Sequence, residues 1–265
     1  MAKEPYINFI QTVLFNFKVL SFSEAIKMPI FIYGKLNVVN LSGTIELRGT
    51  GISPGMIKIG CLKSSFWGEK PIFTTTLNLM GHWYIKGVCF ISNGSIITIG
   101  EHGTLETAHD VSLGPKTQLM CSQYISIGRR VLVSWECQIF DTDFHYLIKD
   151  EGVRINKNKI IIADYVWIGS RVSLLKGSQI PSNSVVASNS LVNTNLLCHG
   201  SNTLFAGIPV KVMRGNAKRC VFSPLQDKEL DDLFYEVKQD CIKIDDSRFS
   251  FLFKQTLDLK DRNYQ

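Results

Sequence analysis

The chain lacks the marks of several protein classes. Its seven cysteines are odd in number, and no two stand at CxxC or zinc-site spacing, which argues against a disulfide framework or a cysteine-built metal centre. Cys121 and Cys137 fall where small apolar groups are wanted and read as core thiols in a reducing compartment. No long apolar run is present near the N-terminus: the longest uncharged stretch, Pro5 to Phe17, is too short to span a bilayer as a helix. No small-residue cleavage site follows it, so no cleavable signal is expected and a cytoplasmic location is. Strong charge of one sign is also missing. Charged residues make up 20% of the 265 and the formal net charge is +6. That mild excess gives no reason to expect a nucleic-acid partner. It suits a small anionic ligand, or weak attraction to an anionic membrane surface.

What is present is a repeat. Ile162, Ile168, Leu174, Ile180, Val186 and Val192 stand six residues apart, and Ile160, Val166, Val172, Ser178, Ser184 and Ser190 form a second series two residues before them. A helix would repeat at three and four, and a plain strand at two. A period of six fits a short strand plus a turn, taken repeatedly, with three units to a triangular coil. Stacked coils cover one another's open edges and pair the backbone groups there.

Upstream, Ile127, Val133 and Ile139 keep the same step, with Ile125, Val131 and Cys137 before them. The next slot is His145, where the pattern stops; Ile139 to Ile162 is not a multiple of six. A loop over about 144–159 is therefore expected to leave the solenoid, and loops on rigid scaffolds often carry function. Coiling is expected from about 45, with an excursion over about 61–87 that carries Phe66, Trp67, Trp83 and Tyr84. Residues 1–44 read as an apolar cap, or as an interfacial segment giving peripheral membrane association through residues 1–40. Residues 216–265 read as a helical extension, with a helix over about 224–242.

The run VWIGSRVSLLKGSQI resembles the hexapeptide-repeat acyltransferases, and the resemblance covers roughly residues 90–216. It implies a mainly β fold, the left-handed parallel β-helix, working as a homotrimer on acetyl-CoA with no metal. Three segments carry it. FDTDFH, residues 140–145, puts His145 where the family has its general base; imidazole titrates near pH 6.5 and can take and return a proton at neutral pH. Asp143 is the first candidate to orient that ring, and Asp141 a candidate for binding the acceptor sugar. Ser134, Trp135 and Glu136 are further acceptor-site candidates. VWIGS, residues 166–170, puts Trp167 and Ser170 near the path of the CoA arm. AGIPVKVMR, residues 206–214, resembles the segment that closes the family's coil; Ala206, Lys211 and Arg214 are CoA candidates, the two cations for its phosphates. Ser188, Asn193 and Thr194 complete the CoA set. After SLV many relatives carry Thr-Lys, and this chain carries Asn193–Thr194, so a lysine of the usual contact set is missing.

The resemblance implies acetyl transfer from acetyl-CoA to a sugar hydroxyl of a bacterial surface polysaccharide or its precursor; the interfacial reading of residues 1–40 would put this at the inner face of the membrane. N-acetylation of a nucleotide-linked amino sugar, or of a xenobiotic, would use the same base. A γ-type carbonic anhydrase needs zinc-binding histidines at HxxxxH spacing, which His102, His109 and His145 do not offer. A non-catalytic solenoid should lack both the loop histidine and the closing motif.

Overall fold

The computed structural model describes residues 6–49, 51–62, 73–214, 231–232 and 234–236. Its strands form a left-handed parallel β-helix whose coil visits three sheets in turn. The first face runs Ile30–Ile32, Ile57–Cys61, Cys89–Ser92, Val111–Leu113, Leu132–Val133, Trp167–Ile168, Val185–Val186 and Leu204–Gly207. Seven strands from Leu36–Leu41 to Leu191–Val192 form the second, and six from Thr44–Leu47 to Gln179–Ile180 the third.

The core is a set of side-chain columns. On the first face Ile32, Ile59, Ile91, Leu113, Val133, Ile168, Val186 and Phe205 lie one above another in register, and all are buried. Both six-residue series point inward as their period requires. The serines of the second series are buried too, with their hydroxyls satisfied: Ser178 Oγ donates to the Val192 carbonyl at 2.8 Å, and Ser190 Oγ accepts from the Gly207 amide at 3.2 Å. Buried hydroxyls are tolerated when paired in this way.

Coil length explains where the repeat is legible. On the third face His82 pairs with Thr104, Thr104 with Tyr124, Ile125 with Ile160 and Ile161 with Gln179. The successive coils are thus 22, 20, 35 and 18 residues long. Only the last has the length of three bare hexads. The longer coils place their extra residues at the corners, so the inward strands survive while the sequence period slips.

Two boundaries differ from the sequence expectation for this reason. Strands begin at Ile30, within the segment read as cap, and Thr75–Leu79 and His82–Ile85 are regular coil strands inside the expected 61–87 excursion. Trp83 is a fully buried core residue whose Nε1 donates to Thr107 Oγ1 at 3.1 Å. Residues 63–72, with Phe66 and Trp67, lie outside the described residues, as does most of the expected 224–242 helix; residues 231–232 and 234–236 are helical.

The corners impose an unusual backbone. Asp110, Arg130, Tyr165 and Asn183 stack along one edge and Lys116, Glu136, Arg171 and Asn189 along another, with φ between 54 and 61° throughout. Left-handed geometry is uncommon outside glycine and asparagine. Its recurrence on Arg, Tyr, Lys and Glu shows that coil stacking, not local preference, selects it.

A helix α1, Phe9–Val19, and a short helix α2, Phe22–Ala25, close the first end. α1 covers the open edge of the first strand with side chains. Asn16 Oδ1 accepts from the Ile30 amide at 3.1 Å and its Nδ2 donates to the Ile30 carbonyl at 2.7 Å; Thr12 Oγ1 accepts from the Ile32 amide at 3.0 Å. Gln11 makes the equivalent pair with the backbone of Leu36. A bare edge is a template for unwanted pairing, and the cap removes it.

Candidate active site

The chain leaves the second face after Phe140 and rejoins the third at Ile160. Between them it forms a hairpin, Leu147–Lys149 against Gly152–Arg154, on a stem where the Asp143 amide donates to the Asn156 carbonyl at 2.8 Å and the Asn158 amide to the Asp141 carbonyl at 2.9 Å. His145 stands at the base of this hairpin with an exposed side chain. Its own amide donates to the Asp143 carbonyl at 2.7 Å, closing a tight bend through Phe144, which has φ 63°. The Phe144 ring packs edge-on to Phe140 at 5.7 Å, so the bend is anchored to the coil.

Asp143 does not reach the imidazole as an orienter. Its carboxylate pairs with Lys176 Nζ at 2.6 Å, and the same ammonium donates to the Ile155 carbonyl at 2.8 Å. Lys176 therefore ties the outgoing and returning stems together. It sits at the corner of the next coil, in SLLKGS, directly beneath the loop. The sequence reading missed it because a lysine in a turn looks solvated; the signal was its place in the coil below the break.

Asp141 is structural. It is fully buried, with Oδ1 accepting from the Ser122 amide at 2.7 Å and Oδ2 from the amides of Gln123 and Tyr124 at 2.7 and 2.9 Å. Burial pushes its carboxyl above the usual range, and the three amide donors oppose that shift. A side chain so occupied cannot bind a sugar. Glu136 is likewise a corner residue, bridging Lys116 at 3.6 Å and Arg171 at 3.2 Å. In the loop stem the buried Asn156 leaves Oδ1 without a hydrogen-bond partner.

The remaining candidates fall on different edges of the prism. His145, Asp143, Asn193 and Thr194 line the corner between the second and third faces. Ser134, Trp135, Ser170 and Ser188 line the corner between the first and second. Trp167, half-exposed on the first face, donates from Nε1 to Ser134 Oγ at 3.1 Å, joining a CoA candidate to an acceptor candidate. Ser170 is buried and its amide donates to Ser188 Oγ at 3.1 Å. The closing segment is a hairpin: Val210–Arg214 runs antiparallel to Leu204–Gly207, with Lys211 opposite Ala206 and exposed. Gly207 has φ 107° and Ile208–Pro209 is cis. Among the described residues, no cluster of His, Cys, Asp and Glu could hold a metal ion.

A three-sided stack of short parallel strands, with one loop thrown from an edge beside a tethered histidine, is the hexapeptide-repeat β-helix. No protein-family model matches the chain. It is 28% identical over 200 residues to an uncharacterised 24.8 kDa protein in the cps region of Klebsiella pneumoniae, spanning 76% of this chain and 85% of that one. It is 23% identical over 156 residues to a protein of Escherichia coli K12 named as the lipopolysaccharide biosynthesis O-acetyltransferase WbbJ, spanning 49% and 77%. It is 31% identical over 140 residues to Rv3034c of Mycobacterium tuberculosis, named as an acetyltransferase, spanning 50% and 45%. Among solved structures the polysialic acid O-acetyltransferase OatWY aligns with a TM-score of 0.48 at 20% identity, over 74% of this chain and 98% of that one. The motifs of the chain resemble those of the hexapeptide-repeat acyltransferases, and two of the relatives it matches are named as acetyltransferases.

Proposed function

We propose that the chain transfers an acetyl group from acetyl-CoA to a sugar hydroxyl of a bacterial surface polysaccharide or its precursor. The observation that carries this reading is His145: an exposed imidazole at the base of a loop whose two stems are tied to a rigid coil. The names of the relatives from E. coli and M. tuberculosis support the reaction class, and the capsule-region and lipopolysaccharide relatives support the acceptor.

In this reading His145 takes the acceptor hydroxyl proton as the oxygen attacks the thioester carbon. The new C–O bond forms, the C–S bond breaks, and the imidazolium returns its proton to the departing thiolate. Lys176 and the Phe140–Phe144 contact hold the bend that aims the ring. Trp167 and Ser188 would flank the pantetheine arm, and Lys211 and Arg214 would meet the phosphates.

The working form is a homotrimer. Support for it comes from the two groups of candidates lying on different edges, so that one copy's His145 edge can face another copy's Trp167 edge. It comes also from the hairpin, which bares Leu147, Ile148 and Val153 beside His145. The trimer works on the cytoplasmic side of the membrane.

A turnover screen of purified protein with acetyl-CoA against oligosaccharides and nucleotide sugars tests the function. The expected result is ester formation on a sugar hydroxyl, with His145→Ala lowering kcat by about 10²–10⁴-fold and leaving thermal stability within about 0.5 kcal/mol. Retention of more than about a tenth of the wild-type kcat would refute the general-base role. Acetylation of amines alone would move the reading to an amino-sugar N-acetyltransferase.

A further inference from the structure

The N-terminal helix is inside out. A surface helix usually turns its apolar stripe to the core and its polar face to water. α1 spends Gln11, Thr12 and Asn16 on the open edge of the solenoid; Phe15 alone of its apolar side chains is buried in the core, and Phe9, Ile10 and Leu14 point away. Phe9 is 73% exposed, Ile10 71% and Leu14 65%, and Phe22 of α2 adds 74%. Scattered apolar residues on a surface need no explanation, but a contiguous patch of this kind marks a contact. The patch runs on into a shallow groove beside the first strand of the second face, where Leu14, Val38 and Leu41 are joined by Lys18.

Charge around the patch is mainly cationic. Lys18 and Lys27 are exposed. The lone carboxylate between residues 6 and 35 is Glu24, which accepts from the Ser21 amide at 3.2 Å and hydroxyl at 2.6 Å as part of the α2 cap. An apolar centre with a mainly cationic rim, its one carboxylate between residues 6 and 35 engaged in a helix cap, complements a surface that is apolar beneath and anionic above.

We infer that this face docks on an anionic lipid bilayer, with Phe9, Ile10, Leu14 and Phe22 entering the headgroup boundary and Lys18 and Lys27 meeting lipid phosphates. A second copy is a poorer occupant, because a self-contact would bring the lysines of both copies together with only the cap-bound Glu24 of each to offset them. The inference deepens the proposed working place at the membrane, and its test does not use the chemistry at His145.

The test is vesicle flotation of the full chain on phosphatidylcholine vesicles with and without phosphatidylglycerol. The chain should float with the anionic vesicles and be released as salt is raised. Ile10→Ser with Leu14→Ser should weaken partition by at least about tenfold, and Phe9→Ser with Phe22→Ser should do the same from the other side of the patch. Lys18→Glu with Lys27→Glu should reduce binding to the level on phosphatidylcholine alone. All three pairs lie on exposed positions, so melting temperature and turnover of a soluble acceptor should stay at wild-type values. Failure of the wild type to float, or flotation that ignores phosphatidylglycerol, overturns the proposal. So does flotation of both serine pairs at wild-type strength. If the serine pairs instead lower the mass of the assembly in sedimentation, or an acidic protein competes for the patch while vesicles do not, the face is a protein contact and the lipid assignment fails.

Discussion

Lys176→Met cuts the tie between the loop and the coil while keeping the bulk of the side chain. The lost contacts are the ion pair to Asp143 at 2.6 Å and the hydrogen bond to the Ile155 carbonyl at 2.8 Å. The lysine and aspartate side chains are 27% and 34% exposed, so water screens the pair and its share of stability is about 1 kcal/mol or less. The stem also keeps its backbone ladder, and the Gly177 amide still donates to the Asn158 carbonyl at 3.3 Å. The fold should therefore hold. Aim is more sensitive than stability here. Asp143 supplies the carbonyl that closes the bend at His145, so freeing its side chain loosens the residue two places from the proposed base. A misplacement of about 1 Å at a reacting group can cost about 10²-fold. The variant should lose about 10- to 100-fold in kcat with its melting temperature nearly unchanged. Amides of 144–156 should exchange faster with deuterium. Asp143→Asn should resemble it, and the double variant should be far from additive, since both changes break one contact. A kcat within about twofold of wild type, together with unchanged exchange in the hairpin, would refute the clamp. A large drop in melting temperature would show that Lys176 holds the fold rather than the aim.

Three further outcomes follow from the same structure. Asp141→Ala strands the amides of Ser122, Gln123 and Tyr124, which at about 1–3 kcal/mol each and partial solvent access should cost about 2–4 kcal/mol by denaturant titration; a loss under about 0.5 kcal/mol would mean the turn is held by other contacts. Brief alkylation at neutral pH, mapped by mass spectrometry, should mark exposed Cys198 and spare Cys61, Cys89, Cys121 and Cys137, which are buried; burial also raises the Cys121 thiol and pushes Cys137 up to about 11. Prompt labelling of Cys137 would contradict its place in the core. Lys211→Ala with Arg214→Ala should weaken CoA more than dephospho-CoA in calorimetry, and equal losses would mean that neither residue meets the 3′-phosphate.

The sequence alone determined the coil and the place where it is broken. A period of six survives in Ile160–Asn195 because those coils have no insertions at their corners, so each inward residue recurs at a fixed interval. The break at His145 is visible for the same reason: a register that has held through Ile127, Val133 and Ile139 meets a residue that cannot face the core. The first coil and the strands at Thr75 and His82 stayed hidden because long corner insertions shift the period without disturbing the stacking: Ile30 pairs with Ile57, Leu36 with Thr75 and Thr44 with His82. The fates of the carboxylates were also out of reach. Asp141, Asp143 and Glu136 are alike on paper. Stacking then gave the first to three amides, the second to Lys176 and the third to a corner ladder, because each meets whatever the neighbouring coil places opposite it, 17 to 35 residues away. The inverted face of α1 is tertiary in the same sense. Its polar residues look like a solvated side until an open strand edge is found waiting for them.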